Sequence, residues 1–298
     1  MNNAITIYEI KQELSDNELE YLLTMEQDNI CFFRFTGGNP SETESLIKKL
    51  YHLRERNVLL FIIFRFPFRF EGKSRMEAAI HQFFKLKDIC DGILYFYSDG
   101  MMEVLDSNTS IKEAKIFFEQ IEQRPIQAIR EMLNQTGDIN IDVQDIKAFV
   151  KNNKDCLFIR TFEGDTFDEP LKYVISAPYL PEDFAESNQL LINIGYSQDV
   201  DMNAFRQINL RLNDLFHKAE IFKLGSYLMN TSGSNLKITI MANGISDPFS
   251  RPRKLKSERL YRYWLLDQWE KVTKLGKPAT WFDNISKKDI RTEINKDD

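Results

Sequence analysis

Short apolar segments alternate with amphipathic helical stretches from residue 28 onward, and this alternation limits the possible folds more than any other feature. Residues 29–35 predict a strand, residues 41–56 a helix with one apolar face, and residues 58–66 a buried strand. Strands joined by a crossover helix pair in parallel, because the helix returns the chain to the same end of the sheet. The first half of the chain is therefore predicted to be α/β.

A further helix, a third strand and a long helix follow. The pattern predicts a helix over 74–87, a strand over 93–97 and a helix over 111–134, which Pro125 is expected to kink. Beyond residue 137 it predicts a smaller α+β domain. Three helices are predicted in this domain: one ends near residue 152, and the other two cover 168–176 and 201–218. Its predicted strands cover 156–161, 189–194, 220–228 and 236–242.

These elements divide the chain into four predicted segments, which cover 1–27, 28–134, 135–246 and 247–298. The first predicts a strand over 4–10 and a short capped helix. The second is a parallel-sheet domain that includes the long helix, and the third is the α+β domain. The last is basic and then aromatic, which suits an anchor for a partner or a membrane surface, although a helix that packs back onto the body is preferred.

Composition and charge exclude several function classes. With 298 residues, 43% of them hydrophobic, the chain can bury a sizeable core. Its net charge of -6 provides no concentrated basic surface for nucleic acid. The three cysteines stand singly, which favours buried thiols, and the three histidines lack the spacing of metal ligands, so no metal site is predicted. Without a leader pattern or a membrane-spanning apolar run, a cytoplasmic location is expected.

Several short segments resemble segments of the FtsZ family in order and spacing. FPFRFEGKSRM over 66–76 resembles RPFxFEGxxRM of FtsZ, and MEVLDSNT over 102–109 resembles its LEVVDKNT. NIDVQD over 140–145, ISAPYL over 175–180 and ITIMANG over 238–244 are similar to its NxDFADV, AISSPLL and VTVIATGF. The resemblance, which covers about 28–245, implies a truncated tubulin/FtsZ-like parallel sheet domain, a long central helix, a smaller α+β domain and a C-terminal helix.

The chain departs from the family where FtsZ binds phosphate. FtsZ places a strand, a glycine-rich turn and a helix ahead of the matched region, but the 27 residues here contain no glycine. The family's GGGTGTG loop falls on residues 38–44, where only Gly38 is retained. A phosphate loop needs free backbone N–H groups at a helix N-terminus. Here Ser41 and Glu44 predict a capping box and Pro40 has no N–H, so GTP or GDP binding is not expected.

The other nucleotide positions that the resemblance implies are mixed. Glu71 and Arg75 match the FtsZ residues that contact ribose and phosphate, and they favour retained binding. Ser98 stands at the family's asparagine, Lys115 at its base-stacking phenylalanine, and Glu119 at its base-reading aspartate or asparagine. Glu71 and Arg75 could instead form a local ion pair, because they are four residues apart at the start of a helix.

An acidic loop is the best-retained part of the catalytic machinery that the resemblance implies. In FtsZ and tubulin this loop completes the hydrolytic site on the neighbouring subunit of the filament. Asn140, Asp142 and Asp145 match its three polar positions, and such carboxylates can orient or deprotonate the attacking water. The alternative is structural, in which Asp142 or Asp138 caps the helix that follows.

Three functional hypotheses remain open. The leading one is an FtsZ-like protein without GTP that docks its acidic loop onto FtsZ or a related filament protein and caps or modulates the filament, with no enzymatic activity of its own. The second is an active polymerising GTPase that holds nucleotide in another way. The third is a scaffold that self-associates without nucleotide.

Overall fold

The structure is a computed structural model that describes residues 6–12, 29–39, 46–47, 50–51, 53, 58–151, 155–164, 177–233 and 235–252. The chain divides into two compact units, Met1–Ser250 and Arg251–Asp298. The predicted capping box at Ser41 and Glu44, the predicted helix over 168–176 and the predicted C-terminal helix lie outside the described residues. Within the described residues, no helix is both long enough and apolar enough to cross a membrane.

The described residues contribute eight strands to one sheet. These are β1 (Ile7–Lys11), β2 (Ile30–Thr36), β3 (Leu59–Phe66), β4 (Gly92–Tyr97), β5 (Cys156–Gly164), β6 (Gln189–Tyr196), β7 (Glu220–Leu228) and β8 (Leu236–Ile245). Their order across the sheet is β1-β2-β3-β4-β5-β8-β6-β7. The strands β1 to β5 are parallel neighbours, whereas β8 runs antiparallel to both β5 and β6. The prediction of a parallel α/β half followed by a mixed α+β half is confirmed.

Five α-helices with complete bounds flank these strands. They are α1 (Lys73–Lys87), α2 (Ser98–Glu103), α3 (Ile111–Asn134), α4 (Val143–Lys151) and α5 (Met202–Leu215). Leu46, Ile47, Leu50 and Leu53 are also helical and buried, as the apolar face of the helix predicted over 41–56 requires. The sequence did not predict α2, because six residues are too few to show a helical period.

The long helix α3 connects two ends of the molecule. Ser110 caps its start, since its hydroxyl accepts the N–H of Glu113 at 3.3 Å while the Glu113 carboxylate accepts the N–H of Ser110 at 2.8 Å. The helix continues past Pro125, and its 24 residues span about 36 Å at 1.5 Å per residue. Residues before and after α3 therefore lie far apart.

The N-terminal strand β1 lies beside β2, with Ile7 opposite Ile30. It confirms a strand in this segment, shifted from the predicted 4–10. A parallel edge strand exposes unpaired backbone groups and is a risk for aggregation. The segment ahead of the FtsZ-like region thus covers the edge that β2 would otherwise present.

Aromatic side chains form the core between β2, β3 and α1. Phe66 is fully buried and contacts the rings of Phe64, Phe83 and Tyr95 at centroid distances of 4.8, 5.5 and 6.2 Å. The ring of Phe249, from the segment after β8, also contacts Phe66 at 5.1 Å. This aromatic cluster therefore ties the end of the α+β half to the parallel half of the sheet.

Candidate functional site

The Gly38 turn, defined as residues 37–39, follows β2 at the carboxyl ends of the parallel strands. In an open α/β sheet this end is where ligands bind. Gly38 has a φ of 112°, and a Cβ at this position would approach Cγ of Arg75 to 2.6 Å. The turn thus needs glycine both for its backbone and for the close approach of Arg75.

Two backbone donors of the Gly38 turn, the N–H groups of Gly37 and Gly38, are used inside the protein. The N–H of Gly38 donates to Oε1 of Gln82 at 2.7 Å, and Nε2 of Gln82 donates to the carbonyl of Asn39 at 2.5 Å. The N–H of Gly37 donates to the carbonyl of Arg65 at 2.9 Å. Gln82 is buried on α1 and was not among the predicted site residues. The Gln82 side chain thus bonds to both Gly38 and Asn39, at the place where a phosphate would need free N–H groups.

Glu71 and Arg75 form the local ion pair that the spacing allowed. One oxygen of Glu71 lies 2.8 Å from a guanidinium nitrogen of Arg75. The other accepts the N–H of Phe68 at 2.9 Å, which closes the turn after β3. Both oxygens of Glu71 thus have partners within its own loop, so the pair has a structural role without any ligand.

The three remaining nucleotide positions have different environments. The buried Ser98 hydroxyl donates to the carbonyl of Phe66 at 2.5 Å, which joins the ends of β3 and β4. Lys115 and Glu119 are exposed on α3. Neither residue supplies an aromatic face on which a nucleotide base could stack. The described contacts therefore do not join these three positions into one nucleotide site.

A buried charge cluster, formed by Glu9, Arg34, Arg65 and Glu122, lies between the sheet and α3, and sequence reasoning missed it. Arg34 lies 3.0 Å from Glu9 and 3.7 Å from Glu122, and Arg65 lies 3.1 Å from Glu122. The signal was an arginine inside each of two otherwise apolar strands, ICFFRFT and LLFIIFRF. Charged residues are almost never buried unless they are paired.

Burial and ion pairing shift the pKa of Glu122 in opposite directions in this charge cluster. Burial raises the pKa of Glu122, while the guanidinium groups of Arg65 and Arg34 act to lower it, and burial dominates. Arg65 also donates to the hydroxyl of Thr36 at 3.0 Å and lies 5.7 Å from the ring centroid of Phe118. The cluster thus joins β1, β2 and β3 to α3 beside the Gly38 turn.

The acidic loop, defined as residues 138–145, follows α3 at its far end. Asn140 accepts the N–H of Gly137 at 2.7 Å through its side-chain oxygen. Asp142 and Asp145 each accept the other's N–H, at 2.9 and 2.8 Å, which is a reciprocal cap at the start of α4. The structural alternative for Asp142 therefore holds, although its side chain remains exposed to solvent.

Asp145 is further held by Lys223 of β7, with which it forms an ion pair. Partial burial acts to raise the pKa of Asp145, but the hydrogen bonds from Asp142 and Lys223 outweigh it and lower the pKa. The carboxylate is therefore kept ionised and fixed in place. A catalytic role for Asn140, Asp142 and Asp145 stays a prediction, because the described contacts explain these residues as a cap and turn.

The substitution Asp145→Asn keeps an oxygen that can accept the N–H of Asp142 but removes the charge paired with Lys223, so it is expected to lower the free energy of unfolding by about 1 kcal/mol at pH 7. A lowered folded-state pKa contributes stability above the unfolded pKa, near 4, and loses it as the pH falls through the folded value. The difference between the two proteins should therefore shrink below about pH 4. Urea unfolding from pH 3 to 7 measures it, and a difference independent of pH would contradict the lowered pKa.

Exposed apolar side chains lie near both ends of α3. Near its start are Phe70 and Ile111, whose exposed fractions are 74% and 92%, and near the acidic loop are Ile139 and Phe222. Phe222 contacts the ring of Phe149 on α4, which places it beside the acidic loop. No cluster of three or more potential metal ligands occurs among the residues that the structure describes.

Comparison with known sequences finds FtsZ proteins, while no model of a known protein family matches the chain. The "Cell division protein FtsZ" of Buchnera aphidicola subsp. Schizaphis graminum is 24% identical over 272 residues, which cover 88% of this chain and 67% of that protein. The FtsZ of Methanothermobacter thermautotrophicus is 24% identical over 72% of this chain. The chain spans only 55 to 56% of that protein and of two further FtsZ relatives.

Solved structures of the same superfamily share the fold. The empty FtsZ dimer of M. jannaschii aligns with a TM-score of 0.60 at 20% identity, covering 78% of this chain and 68% of the other. The GDP-form protofilaments of TubZ from Bacillus thuringiensis align with a TM-score of 0.58 at 12% identity, covering 88% and 80%. Sequence relatives and fold agree with the resemblance carried by the short segments, and the chain is a divergent member of the FtsZ/tubulin superfamily.

Proposed function

We propose that this chain is an FtsZ-like protein that does not bind GTP and that docks its acidic loop onto the nucleotide-bearing face of an FtsZ-type subunit, modulating or capping that filament. The observation that carries the proposal is the Gly38 turn. Its glycine donor is bonded to the buried amide of Gln82, and Arg75 lies against it while paired with Glu71. A triphosphate would have to displace all of these contacts.

The acidic loop supplies the docking half of the proposal. Asp142 and Asn140 are exposed, and the cap with Asp145 holds the loop in one conformation before any partner arrives. A preformed loop loses less conformational entropy on docking. The sequence relatives are cell division proteins, and the TubZ neighbour forms protofilaments. Both support the proposal that this protein acts on a filament built by another subunit.

The test is co-sedimentation with GTP-loaded FtsZ filaments, combined with measurement of the partner's GTPase rate. The double substitution Asp142→Ala with Asp145→Ala should reduce any change in that rate at least tenfold, because a catalytic carboxylate contributes about 10²–10⁴-fold. Asp201→Ala is the matched control, since Asp201 caps α5 through the N–H of Ala204 at 2.7 Å, outside the acidic loop. No binding to filaments, or equal effects of the double variant and the wild type, would reject the proposal.

A second candidate function is self-association without nucleotide. The exposed apolar side chains near both ends of α3, such as Phe70 and Ile139, favour it because such residues bury readily against a second subunit. Light scattering of the protein alone, without nucleotide, separates it from the first proposal. Calorimetric heat with millimolar GTP or GDP would instead support an active GTPase and would contradict both.

A further inference from the structure

Arg160 differs from the buried Arg34 and the half-buried Arg65 in having no carboxylate partner among the residues that the structure describes. It lies on β5 and is only 6% exposed. Arg34 and Arg65 pair with Glu9 and Glu122, whereas no acidic group acts on Arg160 among the residues that the structure describes. Within the same residues its Nη1 has no hydrogen-bond partner. The guanidinium is thus buried without a compensating charge.

The groups nearest to Arg160 do not neutralise it. Its Nη2 donates to the hydroxyl of Tyr179 at 2.5 Å, and its Cζ lies 5.5 Å from the centroid of the Tyr179 ring. The nearby charged group is Arg124 of α3, which has the same sign and is exposed. Burial lowers the pKa of Arg160, Tyr179 opposes that shift, and Arg124 adds to it. Two cations and one hydroxyl therefore converge where α3 faces β5.

Leaving a guanidinium buried and unpaired is costly, and arginine does not avoid the cost by losing its proton. The donors of a guanidinium have the fork geometry that binds two oxygens of one anion. We propose that Arg160, Arg124 and Tyr179 form a binding site for the oxyanion of a small molecule, either a phosphate or a carboxylate. The site is built on α3, β5 and residues 177–180, apart from the Gly38 turn and the acidic loop, so it does not depend on the proposed function.

Tyr179 controls access to this site. Its ring covers the guanidinium, while its carbonyl accepts the N–H of Tyr97 at 3.3 Å and so ties the backbone to β4. The backbone of Pro178 also packs closely against Gly100 of α2. Because the backbone is held, the side chain of Tyr179 is the part that swings aside to admit an anion to Nη1.

The experiment titrates inorganic phosphate and, separately, acetate into the full chain by calorimetry, in chloride buffer of constant ionic strength. The wild type should show saturable binding of at least one of them, and the responding anion identifies the ligand as a phosphate or a carboxylate. Arg160→Met should weaken the apparent Kd at least tenfold. Arg130→Met, an exposed arginine on the same helix as Arg124, should leave it within twofold.

Two results would overturn the proposal. One is the absence of saturable binding of either anion to the wild type. The other is equal affinity in the wild type and in Arg160→Met. If Arg160→Met does not fold, Arg124→Met replaces it, because that side chain is exposed. Its apparent Kd should then be weaker by at least threefold, and an unchanged value would reject the site.

Discussion

The substitution Arg34→Met is expected to lower the free energy of unfolding by about 3–5 kcal/mol, the usual cost of removing one partner from a buried ion pair. Arg34 is 9% exposed and lies between Glu9 and Glu122. Without it, the two carboxylates face each other and Glu122 keeps only Arg65. Urea unfolding of both proteins at pH 7 measures the loss. The exposed Arg69→Met is the control and should stay within about 0.5 kcal/mol.

The loss in Arg34→Met should depend on pH in a defined direction. Burial already raises the pKa of Glu122, and removing Arg34 takes away one of the two groups that oppose this. A carboxyl whose folded pKa lies above its unfolded value stabilises the protein below the unfolded pKa, about 4.3, and loses that contribution as the pH rises through the folded pKa. The deficit should therefore be larger at pH 7 than at pH 4.

A second substitution in the same background tests the charge explanation. Glu122→Gln added to Arg34→Met removes a carboxylate that lost one of its two arginine partners, so it should recover part of the lost stability at pH 7. If the double variant is less stable than Arg34→Met alone, the loss comes from packing of the arginine stem and the charge explanation is wrong.

Phe66→Ala is expected to lower the free energy of unfolding by about 3–5 kcal/mol, as a large cavity does in a close-packed core. Phe66 is fully buried and contacts rings from α1, β4 and the segment after β8. The cavity would therefore open where the segment after β8 packs against the parallel half of the sheet. The midpoint of urea unfolding measures the effect.

Phe70→Ala is the matched control for this substitution. It removes the same side chain four residues later, at a position that is 74% exposed. Its effect on stability should stay within about 0.5 kcal/mol. Equal losses in Phe66→Ala and Phe70→Ala would mean that Phe66 is not part of a close-packed core. Phe70→Ala should also reduce light scattering if the protein self-associates through this end of α3.

The Gly38 turn and the acidic loop differ in what they offer to a ligand or partner. In the Gly38 turn the N–H groups of Gly37 and Gly38 are bonded within the protein, while the acidic loop is held by its own cap and is exposed at Asn140 and Asp142. The buried charge cluster lies beside the first loop and joins four elements with groups of the chain itself. The turn and the charge cluster are thus joined by contacts within the chain, and these contacts support the proposed loss of GTP binding.

Much of the fold was predictable because the information is local. The continuous apolar runs of β2 and β3 and the 3.6-residue periods of α1 and α3 depend on side chains near in sequence, and the short segments that resemble FtsZ placed these elements in order. The spacing of Glu71 and Arg75, and the Asp142-x-x-Asp145 pattern, similarly allowed the ion pair and the cap as alternatives. Local periodicity missed α2, which is too short to show a period.

The sequence alone determined the superfamily, the alternation of strands and helices, and the loss of glycines after Gly38. Only the tertiary structure decided where the remaining polar groups go, because their partners lie far away in the chain. Gln82 is 44 residues from Gly38, Lys223 is 78 from Asp145, and Arg34 is 85 from Glu119, whose carbonyl accepts a hydrogen bond from it. No periodicity encodes such pairs, since they arise only when the packed sheet brings distant side chains together.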